Sequence, residues 1–252
     1  MNLSFYTAAV GAQQQQDRLD VHANNIANVN TNGFRARIPA FSALMTGPIK
    51  GIDEDLPRGV GSRLEDAEAD QRPAGLNGTG RVLDFAIRGK GFFALLDSGT
   101  QEVSYTRDGS FALMQVTLPA DPEAGTEERQ AWFLSDGFGR YVLGRNGGPI
   151  EIQNPQELES LPMGEVIPDI GIFDFINYNG MTHVSENRMT PAEKNGQVGL
   201  GTGELIQGYL ELSNADLANE LAKVIESQRS FQYMLRMVTT SDEIETTVNN
   251  LR

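Results

Sequence analysis

Apolar residues recur at both ends of the chain with alternating spacings of four and three. Near the N-terminus the series is Phe5, Ala9, Ala12, Gln16, Leu19, Ala23 and Ile26, the 3.5-residue period of a helix that packs one seam against a partner. The spacing predicts a helix from about Asn2 to Asn28, about 40 Å long at 1.5 Å per residue. Its expected stop is Asn28-Val29-Asn30-Thr31-Asn32-Gly33, since asparagine and glycine tolerate the left-handed conformation that ends helices. Toward the C-terminus Leu217, Leu221, Val224, Gln228, Phe231, Leu235 and Val238 repeat the spacing, and a rotated second stripe runs through Met234, Met237, Ile244, Val248 and Leu251. Ser213, Asn214 and Asp216 are the candidate N-caps of a helix of about 35 residues. One apolar seam needs one partner; two stripes predict two.

The middle of the chain is written differently. All 11 prolines fall between Pro39 and Pro191, and no glycine follows Gly208, so helix breakers are confined to the interior of the sequence. Short aromatic or β-branched runs lie at 82–88, 92–96, 103–107, 110–115, 131–134, 140–143 and 171–177. Turn signals such as Gly89-Lys90-Gly91, Asp108-Gly109 and Asp136-Gly137 separate them, which predicts antiparallel hairpins in a barrel or sandwich. Residues 38–80 read as an extended acidic linker carrying Asp53, Glu54, Asp55, Glu65, Asp66, Glu68 and Asp70. A second acidic stretch, 119–129, reads as a long hairpin excursion. The expected fold class is therefore α+β and discontinuous. Residues 1–37 and 212–252 form a helical, coiled-coil domain, and a mainly antiparallel β domain at 81–211 is inserted behind the linker.

Composition narrows the function. The net charge of -14 repels phosphate backbones and anionic lipid, so nucleic acid is not an expected partner. No apolar run is long enough to insert into a membrane, and no basic head followed by an apolar core marks a cleavable signal peptide. Cysteine is absent, which removes disulfides, thiolate nucleophiles and cysteine-ligated zinc and suits an extracytoplasmic setting. His22 and His183 show no metal-ligand spacing, and His22 reads as a packed or solvated helix residue. The glycine clusters complete no phosphate loop, there is no GxSxG nucleophile elbow, and Asp84, Asp97 and Glu102 read as turn or surface carboxylates. The chain is thus expected not to be an enzyme, with no cofactor, metal or small-molecule substrate.

One segment is specific. Ala23-Asn24-Asn25-Ile26-Ala27-Asn28-Val29-Asn30-Thr31-Asn32-Gly33-Phe34-Arg35 resembles the NNIANxxTxGF(K/R) signature of bacterial flagellar rod and hook proteins. Leu83 to Phe93 is similar to the LDxAIxGxGFF segment of that family, and Tyr105 to Phe111 to its YTRxGxF segment. Gly208-Tyr209-Leu210-Glu211-Leu212-Ser213-Asn214 resembles GxLExSN, Gln228-Arg229-Ser230-Phe231 resembles QRxY/F, and Asp242 stands in the usual place near the close. Phe231 departs from the common tyrosine, and Ala215 from the common β-branched residue.

The resemblance implies a structural subunit of the basal-body rod that polymerises with itself and with other axial proteins. Its terminal helices would form the inner wall of a helical tube, with the β domain outside, and transmit torque. It also implies export through the flagellar type III apparatus to the periplasm or cell-wall zone. The length of 252 residues favours a rod component over a hook or hook-junction subunit. From another class, a secreted peptidoglycan-acting enzyme is the alternative. On the rod reading Phe5, Ala9, Ala12, Leu19, Ala23, Ile26, Leu217, Leu221, Val224, Phe231, Leu235 and Val238 are the expected assembly interface.

Overall fold

The computed structural model describes residues 3–44, 47–48, 57–58, 61–118, 129–153, 169–185 and 187–251. Two helices close the ends: α1 (Leu3–Ala27) and α2 (Leu217–Asn250). Asn28 ends α1 by donating twice to the carbonyl of Asn24, through its backbone N–H at 3.2 Å and its side-chain amide at 2.9 Å. Of the three candidate N-caps of α2, Asp216 takes the position, accepting from the N–H groups of Ala218 and Asn219 at 3.0 and 3.5 Å.

The chain forms two compact units, one comprising Met1–Val29, Ala36–Asp70 and Ala215–Arg252, the other Asn30–Arg35 and Gln71–Asn214. In the first, α1 and α2 pack side by side. His22 faces Glu220 and Gly11 faces Met234, so the two helices run antiparallel. A strand at Arg37–Ala43 pairs antiparallel with Ser62–Ala69, with a bulge between Ala40 and Phe41. Within 38–80, expected to be an extended connector, the described residues are thus partly in paired strands. The side chains of Ile38, Ala40 and Phe41 are exposed, so little apolar alternation announces the strand. The Asp53 to Asp55 run and residues 119–128 of the second acidic loop lie outside the described residues.

The second unit is built on a ten-stranded sheet whose pairings are antiparallel. All seven expected strands are present, at Phe85–Arg88, Phe92–Asp97, Val103–Thr106, Ala112–Leu118, Arg129–Ser135, Arg140–Val142 and Ile172–Asp174. Six of them join the large sheet, while Phe85–Arg88 pairs with Glu204–Gln207. The sheet also takes in Glu151–Ile152, Thr182–Ser185, Arg188–Thr190 and Gly199–Leu200, which have less of the aromatic and β-branched character that marks a strand in sequence. Phe85, Phe93, Phe111, Leu95, Leu134, Val142 and Ile172 form its core. The rings of Phe93 and Phe111 meet edge to face, 5.1 Å apart. The fold is α+β, with the helices at the two ends and a mainly antiparallel β region between them.

Candidate assembly surfaces and the motif junction

Three of the motif segments converge on one buried carboxylate. Glu211, from the segment beginning at Gly208, receives Arg35 Nη2 at 2.8 Å on Oε1 and Arg107 Nη1 at 3.2 Å on Oε2. The Glu211 and Arg35 side chains are each only 2% exposed. Ala74 N–H donates to Oε1 at 3.2 Å, Arg35 Nη1 donates to the carbonyl of Arg72 at 2.5 Å, and Arg107 donates to the carbonyls of Ile87 and Gly89. Arg107 also lies over the Phe92 ring, 5.3 Å from its centroid. Burial pulls the Arg107 pKa down, Glu211 pushes it back up and Arg35 lowers it again; a guanidinium nonetheless stays charged at neutral pH. The three buried side chains carry one net positive charge.

The backbone around this cluster explains Gly33. Its N–H donates to the Glu211 carbonyl at 2.7 Å, its φ is +66°, and a Cβ there would lie 2.4 Å from the Asp108 nitrogen. Only glycine combines that conformation with that approach. Phe34 beside it is buried, and its carbonyl accepts from Asn214 N–H at 3.3 Å. Thr31 turns the chain by accepting from Phe34 N–H. All of these residues stand inside recognisable motifs, but nothing in their spacing discloses that Arg35 and Arg107 share one carboxylate.

The helix pair holds a second polar cluster. His22, Asn25 and Glu220 are all buried. Glu220 Oε2 lies 2.7 Å from His22 Nδ1 and accepts from Asn25 Nδ2 at 3.1 Å, while Oε1 pairs with Lys223 Nζ at 2.9 Å. Because an ionised carboxylate only accepts, the hydrogen in this contact comes from Nδ1. Asn25 also clamps Arg37 through its backbone, donating to its carbonyl at 2.9 Å and accepting from its N–H at 2.8 Å. His22 is therefore a packed helix residue.

Burial acts most strongly on Glu220 and opposes its ionisation, yet the hydrogen bonds from Lys223, Asn25 and His22 hold its pKa below the ordinary 4.5. A carboxyl group depressed on folding adds stability above its unfolded value and loses it as pH falls through the folded one. Acidification below pH 4.5 is thus expected to lower the unfolding midpoint of the helices, followed by circular dichroism. Glu220→Gln is expected to flatten that dependence. Parallel acid profiles for variant and parent would assign the effect to other carboxylates.

The expected interface residues divide between two surfaces. On α1, Ala12 is buried, Ala9, Leu19 and Ile26 are half-buried, and Phe5 and Ala23 are exposed. The face turned inward follows Ala8, Ala12, His22 and Asn25, so of the expected interface residues on α1 only Ala12 is on the buried face. On α2 the inward stripe is Glu220, Val224, Ser227, Phe231, Met234, Val238 and Ser241, again in steps of four and three. Of the expected interface residues on α2, Val224, Phe231 and Val238 lie on this stripe, whereas Leu217, Leu221 and Leu235 point outward, 45%, 46% and 44% exposed.

With about 100° per residue, those leucines and Ile225 form a stripe on one flank of the inward face, in the N-terminal part of α2. Tyr233, Met237, Ile244, Val248 and Leu251 form another on the opposite flank, in the C-terminal part. Of the remaining motif residues, Asn24, Ala27, Gln228 and Arg229 are exposed, and Asn28 is half-buried. The helix pair thus seals a partly polar seam and leaves Leu217, Leu221, Leu235, Met237, Ile244 and Val248 exposed.

Sequence comparison adds a family. The profile described as "Flagella basal body rod protein" matches residues 5–35, and "Flagellar basal body rod FlgEFG protein C-terminal" matches residues 206–251. The chain is 33% identical over 279 residues to "Flagellar basal-body rod protein FlgG" of Bacillus subtilis (strain 168), covering 99% of this chain and 98% of that protein. It is 29% identical over 270 residues to the protein of the same name in Borreliella burgdorferi, covering 100% and 99%. To "Flagellar basal-body rod protein FlgF" of Caulobacter vibrioides it is 28% identical over 255 residues, covering 97% and 95%.

Proposed function

The chain belongs to the flagellar basal-body rod protein family, and on that premise we propose that the outward stripes of α1 and α2 are the surfaces through which its copies polymerise. The protein is a structural rod subunit, and its family is not an enzyme family. The observation that carries the reading is the row of outward leucines on α2, which a monomer leaves in water. Exposed apolar side chains aligned on one flank of a helix point to an interaction site. Phe5, Ala9, Leu19, Ala23 and Ile26 on α1 and Leu217, Leu221 and Leu235 on α2 then contact neighbouring copies. Ala12, Val224, Phe231 and Val238 hold the intrachain pair. The packed helices act as a coiled coil once neighbours complete their seams.

The assembled subunits carry torque along the axis, outside the cytoplasm, next to other axial proteins of the flagellum. The chain reaches that position by type III export, and a cysteine-free sequence suits threading, since it forms no disulfide that would have to be undone. Residues 1–37 with 212–252 serve as the helical assembly region, 38–80 as the variable acidic connection and 81–211 as the β region. Deleting the gene is expected to leave incomplete basal bodies in electron micrographs, and returning it to restore complete rods. Complete basal bodies in the deletion strain would remove the reading; cell-wall hydrolysis by the purified chain would replace it with an enzymatic one.

A further inference from the structure

The second unit carries a cavity whose charge runs against that of the chain. Its volume of about 380 Å³ falls in the range of about 300–1,000 Å³ usual for small-molecule sites. Pro73, Leu76, Ile87 and Phe92 give it apolar walls. Its charged lining is Arg88, Lys90, Arg107 and Glu211, three cations against one carboxylate, in a protein whose net charge is -14.

The local fold explains why the cations meet there. Gly89-Lys90-Gly91 joins the strands Phe85–Arg88 and Phe92–Asp97. Arg107 is tied to this turn, donating to the carbonyls of Ile87 at 3.2 Å and Gly89 at 2.7 Å, so its guanidinium is held one residue away from Lys90.

Part of this charge is already matched. Arg88 pairs with Glu204 at 3.4 Å, and both are largely exposed. Glu211 is fully engaged by Arg35, Arg107 and the Ala74 N–H. Arg107 nonetheless keeps its Nε–H without an acceptor, although the residue is only 5% exposed, and an unmet buried donor is costly. Lys90 is exposed and belongs to no ion pair among the described residues. Tyr178, also in the lining, donates its hydroxyl to Asp174, which accepts from Phe175 N–H as well. Burial and that bond push the Tyr178 phenol up to about 12, so it stays neutral and does not oppose an anion.

We propose that this cavity binds a single-chain amphiphilic carboxylate, its head at Lys90 and Arg107 and its hydrocarbon against Pro73, Leu76, Ile87 and Phe92. A bare inorganic anion would leave the apolar walls uncovered, and an alkane would leave the cations unmatched, so the lining selects a ligand with both parts. The site draws on none of the helix stripes and is independent of the assembly reading.

Octanoate is the probe, titrated calorimetrically into the purified chain, and it is expected to saturate at one molecule per chain. Acetate, which lacks the hydrocarbon, is expected not to saturate. Octylammonium has the same chain length and is the ligand that the net charge of -14 would favour; its expected failure to saturate therefore reports on the cavity itself. Lys90→Glu is expected to weaken octanoate binding about ten-fold, and Lys90→Arg to keep it. Because Lys90 is exposed, both variants are expected to retain the parent's thermal transition. Octanoate that does not saturate, octylammonium that binds as tightly, or an unchanged octanoate affinity in Lys90→Glu would each overturn the proposal. Flotation with phosphatidylglycerol vesicles is expected to leave the chain in solution. Flotation that Lys90→Glu abolishes would put a membrane lipid in place of the free carboxylate and overturn it too.

Discussion

Cells whose only copy of the chain carries Leu221→Asp or Leu235→Asp are expected to be non-motile, with basal bodies that stop before a complete rod. Both side chains are nearly half exposed on α2 and lie outside the intrachain seam. Substitution at such a site changes the stability of the free chain by no more than about 0.5 kcal/mol, so the purified variants are expected to keep the parent's thermal transition. Assembly is another matter. Burying a leucine is worth about 1.5–3 kcal/mol, and at about 1.4 kcal/mol per decade its loss weakens each contact by one to two orders of magnitude. Burying a carboxylate in its place adds a further desolvation cost. Every subunit repeats the defect, so the polymer feels it more than any pair of copies does. Swimming, basal-body micrographs and a melting curve are the measurements that check this outcome.

Glu211→Ala is expected to act on the other side of that division, damaging the fold itself. Removing the carboxylate leaves Arg35 and Arg107, both buried, without a counter-charge. Deleting one partner of a buried ion pair costs about 3–5 kcal/mol, and here two guanidinium groups are stranded. The unfolding midpoint in urea, read from the fluorescence of Trp132, the only tryptophan, is expected to fall accordingly. Arg129→Ala removes a pair with Glu151 in which the arginine is largely exposed, and it is expected to cost at most about 1 kcal/mol. Equal effects of the two substitutions would mean that the Glu211 cluster does not hold the motif segments together.

Much of the architecture was readable from the pattern of residues, and the misses have physical causes. The ends of the chain advertise helices because proline and the late glycines are missing there while apolar residues keep a period of 3.5. The helix faces were harder to assign. Periodicity finds the apolar stripes, and these are not the stripe the chain seals against itself, which is partly polar. The intrachain face instead holds His22, Asn25, Glu220, Ser227 and Ser241, residues that no hydrophobic template selects. Val224, Phe231 and Val238 lie where the apolar pattern and the inward face overlap.

The strands of the β region were visible as aromatic runs between Asp-Gly and Gly-rich turns. The pairing of Arg37–Ala43 with Ser62–Ala69 was not, since a sequence such as Arg63-Leu64-Glu65-Asp66 reads as solvated chain. At the motif junction the residues were legible and the geometry was not. Arg35, Arg107 and Glu211 stand in separate motifs, and only the fold brings the two arginines onto one carboxylate.

The central claim is that the outward stripes of the helix pair are covered by neighbouring copies. A density map of the rod in basal bodies from wild-type cells, at a resolution that places side chains, tests it most directly. Leu217, Leu221 and Leu235 on one flank of α2 and Met237, Ile244 and Val248 on the other are expected to lie against helices of adjacent subunits. A rod in which both stripes still face solvent, its subunits joined through their β regions alone, would contradict the account.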